Sequence, residues 1–103
     1  MGKKIRFSQL GGFIEFSYIF ENADIIDLEV LEKFKRQGIA TKLILEMENF
    51  LKQQNVTSIF LEVRKTNEPA IKLYEKLNFK VIDVRKDYYS KPACDAIVMI
   101  KNL

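Results

Sequence analysis

The residues best suited to chemistry begin at Lys35-Arg36-Gln37-Gly38-Ile39-Ala40-Thr41, a basic turn with one glycine at the head of an amphipathic run. A diphosphate needs several backbone N–H groups converging where a helix begins, because four amides there lack intrahelical partners and the dipole favours negative charge. Gly38 lets the backbone come close to a phosphate, Ala40 keeps the next turn small, and Lys35 and Arg36 add positive charge. A bulkier residue at position 38 is expected to block such a site. Taken alone the turn is weak evidence, since most single glycines ahead of a helix only close a strand-to-helix connection.

The chain has no histidine and one cysteine, Cys94, so an internal disulfide, the usual zinc sites and histidine-based nucleophilic dyads are not available. A general base must then be a carboxylate, a tyrosine, a lysine or a relayed water. Glu62 sits in an alternating run, on one face with Phe60 and Arg64 and opposite Ile59, Leu61 and Val63. On periodicity alone, a surface glutamate paired with Arg64 is favoured over a catalytic one. Tyr74 falls on a helical apolar face with Ala70, Leu73 and Leu77, where a packed core tyrosine is the plain reading. Cys94 reads as inert, because no histidine stands by to lower its pKa.

The elements that must position these residues follow from hydrophobic period. Residues 3–10 and 13–20 are extended β-branched and aromatic runs around Gly11-Gly12, a dipeptide suited to a tight hairpin turn. Residues 24–30 hold Ile25, Ile26, Leu28 and Val30 in a nearly continuous apolar run, the pattern of a central strand covered on both faces. From Ile39 the residues Ala40, Leu43, Ile44, Met47, Phe50 and Leu51 continue one helix face that ends near 53–55. Residues 58–64 read as a second central strand, so 24–64 predicts a strand, helix, strand unit with parallel strands and a right-handed crossover. Thr66 or Asn67 can cap a second helix, with Pro69 in its first turn and Asn78 in a left-handed position at its end. Residues 79–84 and 96–100 supply two last strands. The long loop between them carries Tyr88, Tyr89, Pro92 and Cys94 and is a candidate substrate contact.

In their order, Leu28-Glu29-Val30, Phe34 and Lys35-Arg36-Gln37-Gly38-Ile39-Ala40 resemble motif A of the GNAT superfamily of acetyltransferases. Its pattern is Gln or Arg, two residues, Gly, one residue, Gly or Ala; Lys35 keeps the charge at the first place and loses arginine geometry. Asn67, Ala70, Leu73-Tyr74 and Phe79 resemble motif B, with Asn78 in place of a glycine, a mild change because asparagine tolerates left-handed φ. Leu61-Glu62-Val63-Arg64, Arg85-Lys86-Asp87-Tyr88-Tyr89 and Asp95-Ala96-Ile97-Val98-Met99 are similar to segments of the RimI-like branch, the ribosomal-protein N-terminal alanine acetyltransferases. The matches together cover about residues 5–99.

The resemblance implies an α/β (α+β) fold. A single GNAT-like domain over 1–103 would carry a mixed, mostly antiparallel sheet with a central parallel strand pair and two helices. It would be N-terminally truncated, because relatives place a strand and two helices ahead of the hairpin. The co-substrate implied is acetyl-CoA, without a metal, held by Leu28, Val30, Lys35, Arg36, Gln37, Gly38, Ile39, Ala40, Thr41 and Asn67. In this picture an amine attacks the thioester directly, Glu62 is the general base, and backbone N–H groups near Val30 bind the acetyl carbonyl. Tyr74 protonates the leaving thiolate, whose basicity is taken as comparable with that of a phenol. Asn67 bonds the pantetheine arm or only caps its helix; Tyr88 and Tyr89 line a peptide pocket or fill an aromatic loop.

An α-amine has a pKa near 8 against about 10.4 for lysine, so roughly a tenth of it is already neutral at pH 7. A mild base such as Glu62 suffices there, which makes a protein N-terminus the expected acceptor, in the RimI-like branch that of a ribosomal protein. The alternatives are a small-molecule amine, or a non-catalytic acyl-CoA-binding or interaction module. The 17 basic and 14 acidic residues are interspersed, which speaks against a nucleic-acid arm. Neither a signal-peptide core nor an apolar run near the length of a membrane span is found, so no membrane association and a cytoplasmic location are expected. A homodimer partner would cover apolar sheet edge and face left bare by the truncation.

Overall fold

The computed structural model describes residues 2–103. Strands β1 (Lys3–Gln9) and β2 (Gly12–Ile19) pair antiparallel with Gln9 opposite Gly12, so the hairpin loop is Leu10-Gly11. Of the two glycines only Gly11 takes positive φ, +95°, and Gly12 already belongs to β2. Both also clear space for the neighbouring chain. A Cβ on Gly11 would lie 2.5 Å from the Phe34 ring, and one on Gly12 would lie 2.8 Å from the Glu29 carbonyl. Gly11 therefore seats Phe34, at the approach to Gly38, besides turning the chain, and Gly12 lets β3 come close.

Strand β3 (Asn22–Val30) runs antiparallel to β2 and leads through a short 3-10 turn, Glu32–Phe34, to helix α1 (Ile39–Gln53). Strand β4 (Ser58–Arg64), helix α2 (Glu68–Lys76), and strands β5 (Lys80–Tyr89) and β6 (Cys94–Asn102) follow. The sheet order is β1-β2-β3-β4-β6-β5, with β3 and β4 as the parallel pair at its centre and every other pair antiparallel. Inward residues of the strands (Ile14, Phe16, Ile59, Met99) pack on one face of α1 (Leu43, Ile44, Met47, Leu51), all fully buried. Tyr74 of α2 and Phe79 belong to the same cluster, so both helices lie on one face of the sheet.

That arrangement corrects the reading of residues 24–30 as a strand covered on both faces, because Ile26 is 50% exposed. The adjacent isoleucines have another cause. Glu15 faces Asp27 while Phe16 faces Ile25, which leaves Ile26 as the extra residue of a β-bulge.

The last hairpin is also longer than its sequence pattern. Strand β5 does not stop at residue 84 but runs on through Tyr88 and Tyr89, and only residues 90–93 connect it to β6. The long substrate loop is thus a strand end. Asp83, Arg85, Lys86 and Asp87 break the apolar alternation, which an edge strand tolerates because solvent reaches it on most sides. Asn78, at φ +74°, takes the left-handed position expected after α2.

Candidate active site

Strands β3 and β4 are in register only from Asn22 opposite Ser58 to Asp24 opposite Phe60, and beyond that point they part. The bulge at Ile26 adds local twist where the separation begins. The Leu31 N–H donates to the Gly11 carbonyl at 2.7 Å, which sets the phase of the β2–β3 ladder. Alternation along an antiparallel pair then turns the N–H groups of Leu28 and Val30 away from β2 and into the gap. A cavity of about 640 Å³ occupies the gap, walled by Leu28 and Val30 on one side and by Leu61, Glu62 and Val63 on the other.

One end of this cavity is the turn before α1. Arg36 and Gly38 both take left-handed φ, +66° and +75°. The first bond into the helix runs from the Lys42 N–H to the Gly38 carbonyl at 3.0 Å, so the amides of Ile39, Ala40 and Thr41 precede it, on residues that line the cavity. A Cβ on Gly38 would meet nothing within 4 Å. The protein by itself therefore needs glycine there for φ, and the steric block expected at position 38 applies only against a bound anion. Lys35 is tied to Glu32 at 3.0 Å, whereas Arg36 makes no ion pair among the described residues. Gln37 is not among the residues lining the cavity.

Glu62 is placed with its side chain 34% exposed at the middle of the gap, and its partner is not Arg64. Arg85 reaches it across β6, Nη1 to Oε2 at 3.3 Å, and the Tyr88 hydroxyl donates to Oε1 at 3.4 Å. Arg64 instead stacks over the Tyr89 ring at 4.4 Å and donates to the Pro92 carbonyl at 3.1 Å. Two residues apart on one strand, Glu62 and Arg64 each find a partner on a different strand, so the periodicity-based pairing does not form. Asp24, which the sequence marks only as the start of a strand, is the residue that reading missed. Partial burial, and then the Glu62 charge beside it, raise its carboxyl pKa.

Tyr74 is 6% exposed and packs edge-on to Phe79 at 5.5 Å. Its hydroxyl has no hydrogen bond among the described residues, yet no buried side-chain nitrogen or oxygen among them lacks a partner, so the O–H opens onto the cavity it lines. Burial, then the Asp27 charge, push the phenol up to about 12. This departs from the expected match with a thiolate. Tyr74 is held protonated throughout the neutral range, able to donate a hydrogen bond into the cavity it lines. Raised above its ordinary value of about 10, the group leaves stability intact below pH 10, and stability is lost as pH climbs towards 12. At pH 11 that loss is about 1 kcal/mol. Urea unfolding at pH 8 and pH 11 should show a smaller drop for Tyr74→Phe than for wild type by this amount; equal drops would contradict it.

Asn67 caps α2, its Oδ1 accepting the Ala70 N–H at 3.3 Å, and it also lines the cavity, so capping leaves its NH₂ for a ligand. Tyr88 and Tyr89 stand edge to face at 5.1 Å, Tyr89 lining this cavity and Tyr88 a second one. The second cavity, about 590 Å³, lies on the helix-free face of the sheet between Asp24, Phe60, Glu62, Arg85, Tyr88 and Val98. The two cavities share Ile25, Ile26, Leu61, Glu62 and Tyr89, so they meet where β3 and β4 part. Cys94 lines neither. Its thiol pKa is nonetheless lowered, first by the backbone N–H of Thr66, which corrects the premise that only a histidine could do so.

Residues 8–79 match the model of the acetyltransferase (GNAT) family. The chain belongs to the GNAT family. An N-alpha-acetyltransferase of Saccharolobus solfataricus is 45% identical over 80 residues, which cover 77% of this chain and 47% of that protein. A [ribosomal protein bS18]-alanine N-acetyltransferase of Haemophilus ducreyi is 32% identical over 91 residues, 85% of this chain and 63% of that protein. The crystal structure of the ribosomal-protein-S18-alanine N-acetyltransferase from Escherichia coli superposes with a TM-score of 0.87 at 28% identity, covering 96% of this GNAT chain and 68% of that one. The chain thus spans about half to two thirds of the length of these relatives.

Proposed function

We propose that this GNAT domain transfers the acetyl group of acetyl-CoA to a protein N-terminal α-amine. The observation that carries the reading is the meeting of two cavities at Glu62, one ending in a helix-start anion cradle and the other opening on the far face of the sheet. The amides of Ile39, Ala40 and Thr41, with Arg36 nearby, suit the pyrophosphate; the gap beside Leu28 and Val30 suits the pantetheine arm, with the Asn67 amide along it. On the first cavity's side of the junction, the N–H groups of Leu28 and Val30 receive the acetyl carbonyl oxygen. The amine nitrogen bonds to the carbonyl carbon while the carbon–sulfur bond breaks, Glu62 takes the amine proton, and the Tyr74 O–H donates to the departing sulfur. Tyr88 and Tyr89, on the acceptor side, flank the incoming peptide.

The relatives' names support an N-terminal amine as acceptor, and a ribosomal-protein N-terminus is the first one to try. The helix-free sheet face and the edge strand β5, with Val81, Ile82 and Val84 exposed, fit a homodimer. No helix among the described residues is long and apolar enough to cross a membrane; the cytoplasm is the location proposed. Thiol release with acetyl-CoA and a panel of N-terminal peptides and simple amines tests the reading. Thermal stabilisation by acetyl-CoA without turnover on any acceptor would identify a binding module instead. Within the same assay, Gly38→Val should raise the KM for acetyl-CoA about tenfold or more, since a β-branched residue at φ +75° costs about 1–2 kcal/mol and crowds the cradle. An unchanged KM would remove the cradle assignment.

A further inference from the structure

Glu62 meets a cation in the protein itself, and the way it does so bears on the acceptor. The Arg85 guanidinium touches its carboxylate at a single 3.3 Å contact, on an edge strand and with the arginine side chain 54% exposed. An exposed pair of this kind is weakly held. Two carboxylates, Asp24 and Glu62, face the cavity that holds this one arginine, so the pocket has room in charge for a further cation. Both oxygens of Glu62 are engaged, Oε2 by Arg85 and Oε1 by Tyr88. The guanidinium also has somewhere else to rest, since its carbon already lies 5.5 Å from the centre of the Tyr88 ring. An α-amine with a pKa near 8 arrives at neutral pH mostly as an ammonium.

We propose that Arg85 is a placeholder for the acceptor's α-ammonium, holding Glu62 until the peptide N-terminus displaces it. This deepens the acetyltransferase reading and rests on it. The ammonium takes the Oε2 side of Glu62, the guanidinium swings towards Tyr88 and solvent, and the amine then gives its proton to the freed oxygen. Arg85 is thus a specificity-determining residue that sets how readily a cationic acceptor gains the base, and it takes no part in bond making.

The test is steady-state thiol release with acetyl-CoA and the best peptide acceptor for wild type, Arg85→Gln, Arg85→Met and Arg85→Lys. Removing the competing charge should lower the acceptor KM about two- to five-fold in the Gln and Met variants, the scale of an exposed ion pair, with the KM for acetyl-CoA unchanged and kcat not reduced. Arg85→Lys keeps a cation and should stay near wild type. An acceptor KM that is unchanged or raised in both neutral variants, while wild type turns over, would overturn the placeholder role and leave the acetyltransferase reading standing. No transfer by wild type to any acceptor would overturn that reading, and the placeholder with it.

Discussion

Glu62→Gln should lower kcat for acetyl transfer by about two to four orders of magnitude at neutral pH, the usual contribution of a positioned general base. Glutamine keeps the size of the side chain and a carbonyl oxygen to accept from the Tyr88 hydroxyl, but it cannot take a proton from the attacking amine. The KM for acetyl-CoA should change little, because glutamine keeps the shape of the cavity wall at position 62 and the proposed coenzyme contacts at Gly38, Leu28 and Val30 are main-chain groups of other elements. Rates from thiol release at saturating acetyl-CoA measure the effect. A loss smaller than about tenfold would mean that Glu62 is not the base. Asp24, raised by partial burial and by the neighbouring Glu62 charge, is then the carboxylate to examine through Asp24→Asn.

The second large effect is on stability and lies away from the chemistry. Glu48 of α1 is 7% exposed and accepts hydrogen bonds at 2.9 Å on both oxygens from Lys101, itself 16% exposed, on β6. Glu48→Ala should cost about 3–5 kcal/mol, because it leaves the largely buried lysine ammonium without a counter-charge and removes packed side-chain atoms from α1. The double change Glu48→Leu, Lys101→Met should recover most of that loss, since apolar residues of similar volume replace a buried pair at little cost. Urea unfolding of the three proteins decides it. Single and double variants that lose the same stability would show that packing around position 48, and not the stranded charge, sets the cost. The pair fastens the helix whose first turn is the proposed anion cradle, so the single variant should also bind acetyl-CoA more weakly as it approaches its unfolding midpoint.

What the sequence determined by itself is the set of features decided within a few residues. Gly38 ahead of Ile39, Asn67 with Pro69, and the helical face Leu43, Ile44, Met47, Leu51 all depend on local φ, ψ and side-chain period, and each stands where that local chemistry puts it. Ordered segments resembling the GNAT motifs were legible for the same reason, since they are runs of adjacent residues. The tertiary structure alone decided what depends on strand register and burial. Glu62 turns to Arg85 and Tyr88 because β6 lies between β4 and β5, a neighbour relation between residues more than 20 apart that no period along one strand encodes. The bulge at Ile26 looks in sequence like one more apolar residue, yet it marks where β3 leaves β4, just past the parallel register that sets Asp24 opposite Phe60 and near the Glu62 charge. Tyr74 is a helix-face tyrosine in sequence, and only the packing of Phe79 and the nearby Asp27 charge make it a phenol held protonated to about pH 12. The turn at Gly38 was readable because a turn is local; the junction of the two cavities was not, because it is made by strands that meet only in the folded sheet.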